Sequence, residues 1–163
     1  MKIYFAADHA GFELKNTLIE YVRGFGHEVE DCGAFAFDKE DDYPAFIAAA
    51  AKKLSTDSQK GIESRAIVIG ASGQGEAIVA NRYKGVRCAL YYGETSNVQT
   101  DMSGTTLDIL SSSRQHNNAN ALSLGARFID TPSIGDKIKL WLETPFSGEE
   151  RHVRRIKQID EVS

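Results

Sequence analysis

Apolar residues in this chain come in short continuous runs, each ending in glycine or a polar turn. The first run is Ile3 to Ala7, which stops at Asp8-His9-Ala10-Gly11. A run this short, without alternation, reads as a strand buried on both faces. Phe12, Leu14, Leu18, Ile19 and Val22 then recur near helical spacing until Gly24 and Gly26 break the pattern. His27 to Asp31 reads as a second strand. Pro44 stands where a first helical turn tolerates it, and the alanine-rich stretch Ala45 to Leu54 continues that helix. Ala66-Ile67-Val68-Ile69 is a third strand, running straight into Gly70-Ala71-Ser72-Gly73-Gln74-Gly75-Glu76, after which Ala77 to Arg82 opens a helix. Val86 to Tyr91 and Ala119 to Leu124 complete the strands. Thr131 to Leu142 reads as a helix with Thr131 as N-cap before Pro132. Strands alternating with helices predict an α/β domain of three layers, with a mostly parallel five-stranded sheet between helices. Thr95 to Ser113, rich in Ser and Thr, is a long loop with room for one short helix.

Composition narrows the class. The 163 residues suit one domain able to bury a core without staples. The net charge of −4 gives no support for nucleic acid or a membrane surface as partner. No apolar run approaches the roughly 20 residues of a membrane span, and the N-terminus turns charged too early for a signal peptide. Cys32 and Cys88 stand far apart with no C-x-x-C pair, as expected of reduced packing residues in a cytoplasmic protein.

In a parallel sheet, ligands gather outside the carboxyl ends of the strands. The glycine loop lies at such an end. Its amides can approach an anion closely, or it is simply a tight strand-to-helix turn. It lacks a Walker lysine and the full dinucleotide spacing. Glu76 either compensates the helix dipole or serves as a base beside the loop amides, a pairing that enolisation requires. Ser72 can pass a proton between neighbouring oxygens. Asp8 is a helix cap or a site carboxylate; His9 and His116 are structural or functional; Asn117 and Asn118 are turn residues or ligands. The run Arg151-His152-Val153-Arg154-Arg155 is a solvated helix face or a phosphate clamp, with Arg151 and Arg155 sharing a face at i,i+4.

Taken in order, Asp8-His9-Ala10-Gly11, Asp42-Tyr43-Pro44, Gly73-Gln74-Gly75-Glu76 with Ala80-Asn81-Arg82, Gly85-Val86-Arg87-Cys88-Ala89, Arg114-Gln115-His116-Asn117-Asn118-Ala119-Asn120, Gly125-Ala126-Arg127 and Arg151-His152-Val153-Arg154-Arg155-Ile156 resemble the type B ribose-5-phosphate isomerase family, which includes the galactose-6-phosphate isomerase subunits. The resemblance covers nearly the whole chain. It implies a Rossmann-like fold, a homodimer with shared active sites or a tetramer built from it, no metal and no cofactor. It also implies aldose–ketose isomerisation of ribose 5-phosphate and ribulose 5-phosphate through an enediol. A six-carbon substrate, allose or galactose 6-phosphate, is the alternative; a non-catalytic sugar-phosphate-binding domain ranks below it. By the same resemblance His116 and Asp8 match the ring-opening pair. Asn117 with the amides around Gly73 and Gly75 matches the enediolate hole, and Ser72 the assisting hydroxyl. Tyr43 matches a pocket wall, and His9 and Arg127 phosphate-side positions. Arg151 and Arg155 match phosphate ligands that the C-terminal segment 145–163 brings from the partner. Many members carry a cysteine base where this chain has Gly70; others carry a glutamate where it has Glu76, so this chain resembles the glutamate subgroup. One departure is an inserted loop at about 94–112, some dozen residues longer than the family pattern.

Overall fold

The computed structural model describes residues 1–93, 99–101 and 104–162. Five strands form one sheet: β1 (Lys2–Ala7), β2 (Glu28–Asp31), β3 (Ser64–Gly70), β4 (Cys88–Tyr91) and β7 (Ala121–Gly125). Their order is β2-β1-β3-β7-β4, with every pairing parallel. Between β4 and β7 a small antiparallel pair intervenes, β5 (Gln99–Thr100) with β6 (Thr106–Leu107). The helices are α1 (Phe12–Gly24), α2 (Tyr43–Gln59), α3 (Gln74–Ala80), α4 (Ile109–Asn117), α5 (Ile134–Glu143) and α6 (Glu150–Glu161).

Strand alternation divides the core into two. Successive side chains on a strand face opposite ways. Ile3 and Phe5 of β1, Ile67 and Ile69 of β3, and Leu122 and Leu124 of β7 therefore pack with α1, α4 and α5 around Trp141. The alternate residues Tyr4, Ala6, Ala66, Val68 and Ala121 face α2 and α3. This second face is small-sided, with Ala50 and Ala51 fully buried upon it, so α2 lies close to the sheet. A fully buried Leu or Ile contributes about 1.5–3 kcal/mol relative to exposure, and both layers draw on several.

Two elements depart from the periodicity reading. The short helix for which the loop Thr95–Ser113 had room is α4, and it overruns the expected loop end to reach Asn117. Asp108 caps it, its side chain accepting from the Ser111 N–H at 2.7 Å. Of the expected insertion at about 94–112, residues 94–98, 102 and 103 lie outside the described residues; the rest holds β5, β6 and the start of α4. The helix expected from Thr131 begins instead as a 3₁₀ turn over Thr131–Ser133, and α5 follows with Ser133 at the cap position. Among the described residues no helix is long and apolar enough to cross a membrane.

Lys15 is a buried exception within α1. Its side chain is fully enclosed, paired with Asp31 at the end of β2 and bonded to the Ala34 carbonyl at 2.8 Å. It ties α1 to the start of the loop leading from β2 to α2.

Candidate active site

The sheet order changes direction between β1 and β3, since β2 lies outside β1 while β7 lies beyond β3. That reversal opens a crevice at the strand ends. Asp8 and His9 follow β1 there, the glycine loop follows β3, and Arg127 follows β7.

Glu76 occupies the centre. Gly73 caps α3 in the left-handed region, with φ 72°, and turns the chain sharply back. Glu76 then falls in the first helical turn and is only 4% exposed. A Cβ at Gly70 would overlap Glu76 Oε1. The carboxylate thus lies over the end of β3, in the volume any side chain at position 70 would need. Burial pushes its pKa above the ordinary carboxylate value and the charge of Asp8 adds to this, while a hydrogen bond from its own backbone opposes it. Tyr43, the first residue of α2, brings its hydroxyl to Gly75, where a Cβ would overlap it. The Ser72 hydroxyl accepts from the Gln74 N–H at 3.3 Å.

Asp8 is buried, and its Oδ1 accepts from the N–H groups of Ala10 at 2.9 Å and Gly11 at 3.2 Å. It organises the turn into α1 while its charge reaches Glu76. His9 Nδ1 lies 2.7 Å from Asp41 Oδ1, and the His9 backbone N–H donates to the same oxygen at 3.1 Å. That hydrogen bond raises the His9 pKa, burial lowers it, Asp8 raises it further, and the nearby Arg127 opposes. Asp41 is absent from the sequence candidates; the only hint is a second acidic residue ahead of Asp42, where one cap suffices. Asp8, His9 and Asp41 offer ligand atoms within 4.8 Å of one another. The named bonds already use Asp8 Oδ1, His9 Nδ1 and Asp41 Oδ1, which describes a hydrogen-bonded dyad beside a turn carboxylate.

The other candidates lie elsewhere in the chain. His116 and Asn117 end α4, which leads into the amino end of β7. They sit at the opposite edge of the sheet from Asp8 and Glu76, roughly a strand length or 15 Å away. There Arg87 Nε donates to the Asn117 and Asn118 carbonyls, each at 3.1 Å. The His116 ring packs on that of His152 with centroids 4.5 Å apart, and Ser147 Oγ holds His152 Nδ1 at 2.9 Å. Arg151 pairs with Glu149 at 2.8 Å, and Arg155 is exposed one turn further along α6. The candidates therefore fall into two groups at opposite ends of the strands. Asp8, His9, Tyr43, Ser72, Gly73, Gly75, Glu76 and Arg127 form one; His116, Asn117, Arg151 and Arg155 lie with the other. The implied pairing of Asp8 with His116 is not assembled within a single chain. Neither thiol is a candidate base, since burial pushes Cys32 up to about 11 and Cys88 up to about 12.

Comparison with known proteins adds four findings. A family model described as ribose/galactose isomerase matches residues 3–159. Ribose-5-phosphate isomerase B of Mycobacterium tuberculosis is 40% identical over 161 residues, covering 99% of this chain and 89% of that one. The crystal structure of ribose-5-phosphate isomerase B from Mycoplasma genitalium with bound ribulose-5-phosphate superposes with a TM-score of 0.84 at 32% identity, covering 99% of this chain and 95% of the other. The Thermotoga maritima enzyme of the same name gives 0.77 at 38% identity, over 98% and 97%.

Proposed function

The chain belongs to the ribose/galactose isomerase family, and from that premise we propose that it interconverts ribose 5-phosphate and ribulose 5-phosphate with Glu76 as general base. The observation that carries the assignment of the base is the Glu76 carboxylate itself, buried over Gly70 at the end of β3. A carboxylate beside a turn of loop amides suits proton transfer between carbons 1 and 2. It takes the proton from carbon 2 of the aldose, the amides around Gly73 and Gly75 hold the enediolate oxygen, and the proton returns at carbon 1. Burial raises the basicity of Glu76 toward the range a general base needs. Ser72 relays between the sugar oxygens, Tyr43 walls the pocket, and His9 with Arg127 receives the phosphate. The ribulose-5-phosphate bound by the Mycoplasma genitalium enzyme favours a five-carbon sugar here too.

The site is completed by a second copy of the chain. His116 and Asn117 arrive from the partner for ring opening and enediolate binding, with Arg151 and Arg155 at the phosphate. Two features support this. The half-sites lie at opposite edges of one sheet, and His152 is the one residue of α6 that is buried against its own chain among the described residues. Its Val153 and Ile159, with Ile78 of α3, remain exposed as apolar surface for the partner. The reaction as written needs no metal or nucleotide. We place the protein in the cytoplasm, where its two free cysteines stay reduced.

Glu76→Gln tests the assignment. Turnover of ribose 5-phosphate should fall by about 10²–10⁴-fold, with binding of a phosphorylated sugar acid largely kept. Turnover within a few-fold of the natural protein would place the base elsewhere. Running allose and galactose 6-phosphates beside ribose 5-phosphate tests the choice of sugar, and preference for a six-carbon substrate would reject it.

A further inference from the structure

We propose that Asp41 is a positioning residue for His9, clamping the Nδ1 edge of the ring so that Nε2–H meets the sugar phosphate. This rests on the reading of the pocket as a sugar-phosphate site. Among the described residues, the bonds to the Asp41 carboxylate come from His9: the ring nitrogen at 2.7 Å and the backbone N–H at 3.1 Å share Oδ1. Asp41 is 7% exposed at its side chain and His9 29%, so the carboxylate lies beneath the ring, away from solvent. The capping position of α2 is taken by Asp42, so Asp41 is not spent on the helix. Its Oδ2 is buried with no partner among the described residues, a cost in free energy that packing alone does not explain.

The chemistry follows from the donor inventory. An ionised carboxylate only accepts, so His9 Nδ1 must carry a proton. A phosphate dianion also only accepts, so Nε2 must carry one as well when the ligand is bound. Both conditions hold together only for the imidazolium. The charged groups around the ring are Asp41 and Asp8, which favour that form, and Arg127, which opposes it; Phe37 meets the ring edge-on. Without Asp41 the balance would shift toward the neutral ring, leaving Nε2 a bare acceptor facing an anion.

Asp41→Asn separates the charge from the shape. The backbone N–H of His9 keeps the amide oxygen, rather than its nitrogen, at the shared position, so the ring stays clamped while the charge is removed. In the full-length protein, ¹⁵N-resolved NMR titration of His9 should show its protonation midpoint moving to lower pH, with the proton of the neutral ring still on Nδ1. At pH above both midpoints, KM for ribose 5-phosphate should rise about tenfold for each pH unit of that movement. The gap should close at lower pH, with kcat little changed. Asp41→Ala should lose the clamp as well and raise KM at both ends of the range. A purely structural Asp41 would instead lower the melting temperature and leave the His9 midpoint and the pH dependence of KM as they were, which would overturn the proposal. Inorganic phosphate, titrated by NMR against His9, separates this from the reading beneath it. If the natural protein turned over no sugar phosphate, phosphate affinity and the His9 midpoint would still report on Asp41. Normal turnover with an unmoved midpoint in Asp41→Asn would remove the positioning role alone.

Discussion

Glu76 is held where a carboxylate is costly. Its folded-state pKa is raised by burial and by Asp8, so the folded protein binds this proton more tightly than the unfolded chain. The group's contribution to stability is therefore full below the unfolded carboxylate value. It is lost as pH rises through the raised folded value. At neutral pH the ionised side chain is a liability, and Glu76→Gln should raise the melting temperature while it abolishes turnover. The gain should be about 2–4 °C for each kcal/mol recovered, checked by calorimetry. In the natural protein the acid limb of kcat/KM should fall above the ordinary carboxylate range, because catalysis needs the ionised form. A limb at the ordinary value would mean the carboxylate is solvated in solution. The sequence supplied Gly70 and Glu76 as alternative places for a base. That they share one volume is legible only in three dimensions, because it depends on the left-handed turn at Gly73 folding α3 back over β3. Asp41 was invisible for a similar reason. Its partner lies 32 positions earlier, and an acidic residue before a helix already has an ordinary explanation as a cap.

At the level of elements, β1, β3, β4 and β7 were readable because each is a short apolar run, the pattern a buried parallel sheet demands; β2, Glu-Val-Glu-Asp at the sheet edge, is not such a run. α4 was not. Its residues Ile109 to Asn117 contain three consecutive serines, weak helix formers that compete for backbone bonds elsewhere. Only Leu110 and Arg114 are buried, and the helix is fixed by its Asp108 cap and by the packing of Leu110 in the core around Trp141. Lys15 is another feature that pattern reading misses, since a lysine among apolar positions on a helix is normally assigned to its wet face. Its enclosure with Asp31 makes the pair sensitive to half-removal. Lys15→Ala should cost about 1–3 kcal/mol, by removing the cation from Asp31, which keeps only the Gly33 N–H, and the donor from the Ala34 carbonyl, read as a lowered denaturant midpoint. An effect below 1 kcal/mol would mean that water reaches the carboxylate freely. The loop that Lys15 anchors at Ala34 leads on to Asp41 and Tyr43, so the same variant should loosen the pocket wall.

For the whole molecule, the decisive geometry is the distribution of candidate residues over both edges of the sheet. The order of motifs along the chain gives the candidates without their sides, since it is silent on which end of a strand a residue occupies. Glu76 follows a strand and His116 precedes one, and in a parallel sheet these are opposite ends. Mixing a Glu76→Gln chain with a His116→Ala chain tests the consequence. A heterodimer of the two would assemble one intact site and one doubly altered site, so a random mixture should recover roughly a quarter of natural activity. Sites built within single chains would recover none.

The same division makes dilution a form of inhibition. On the proposed dimeric reading, a chain released from its partner would not work at half speed; it would carry a base with no ring-opening histidine and a ring-opening histidine with no base. Specific activity should then fall as protein concentration drops below the dimer dissociation constant, and substrate, by bridging both chains, should hold the pair together and delay that fall.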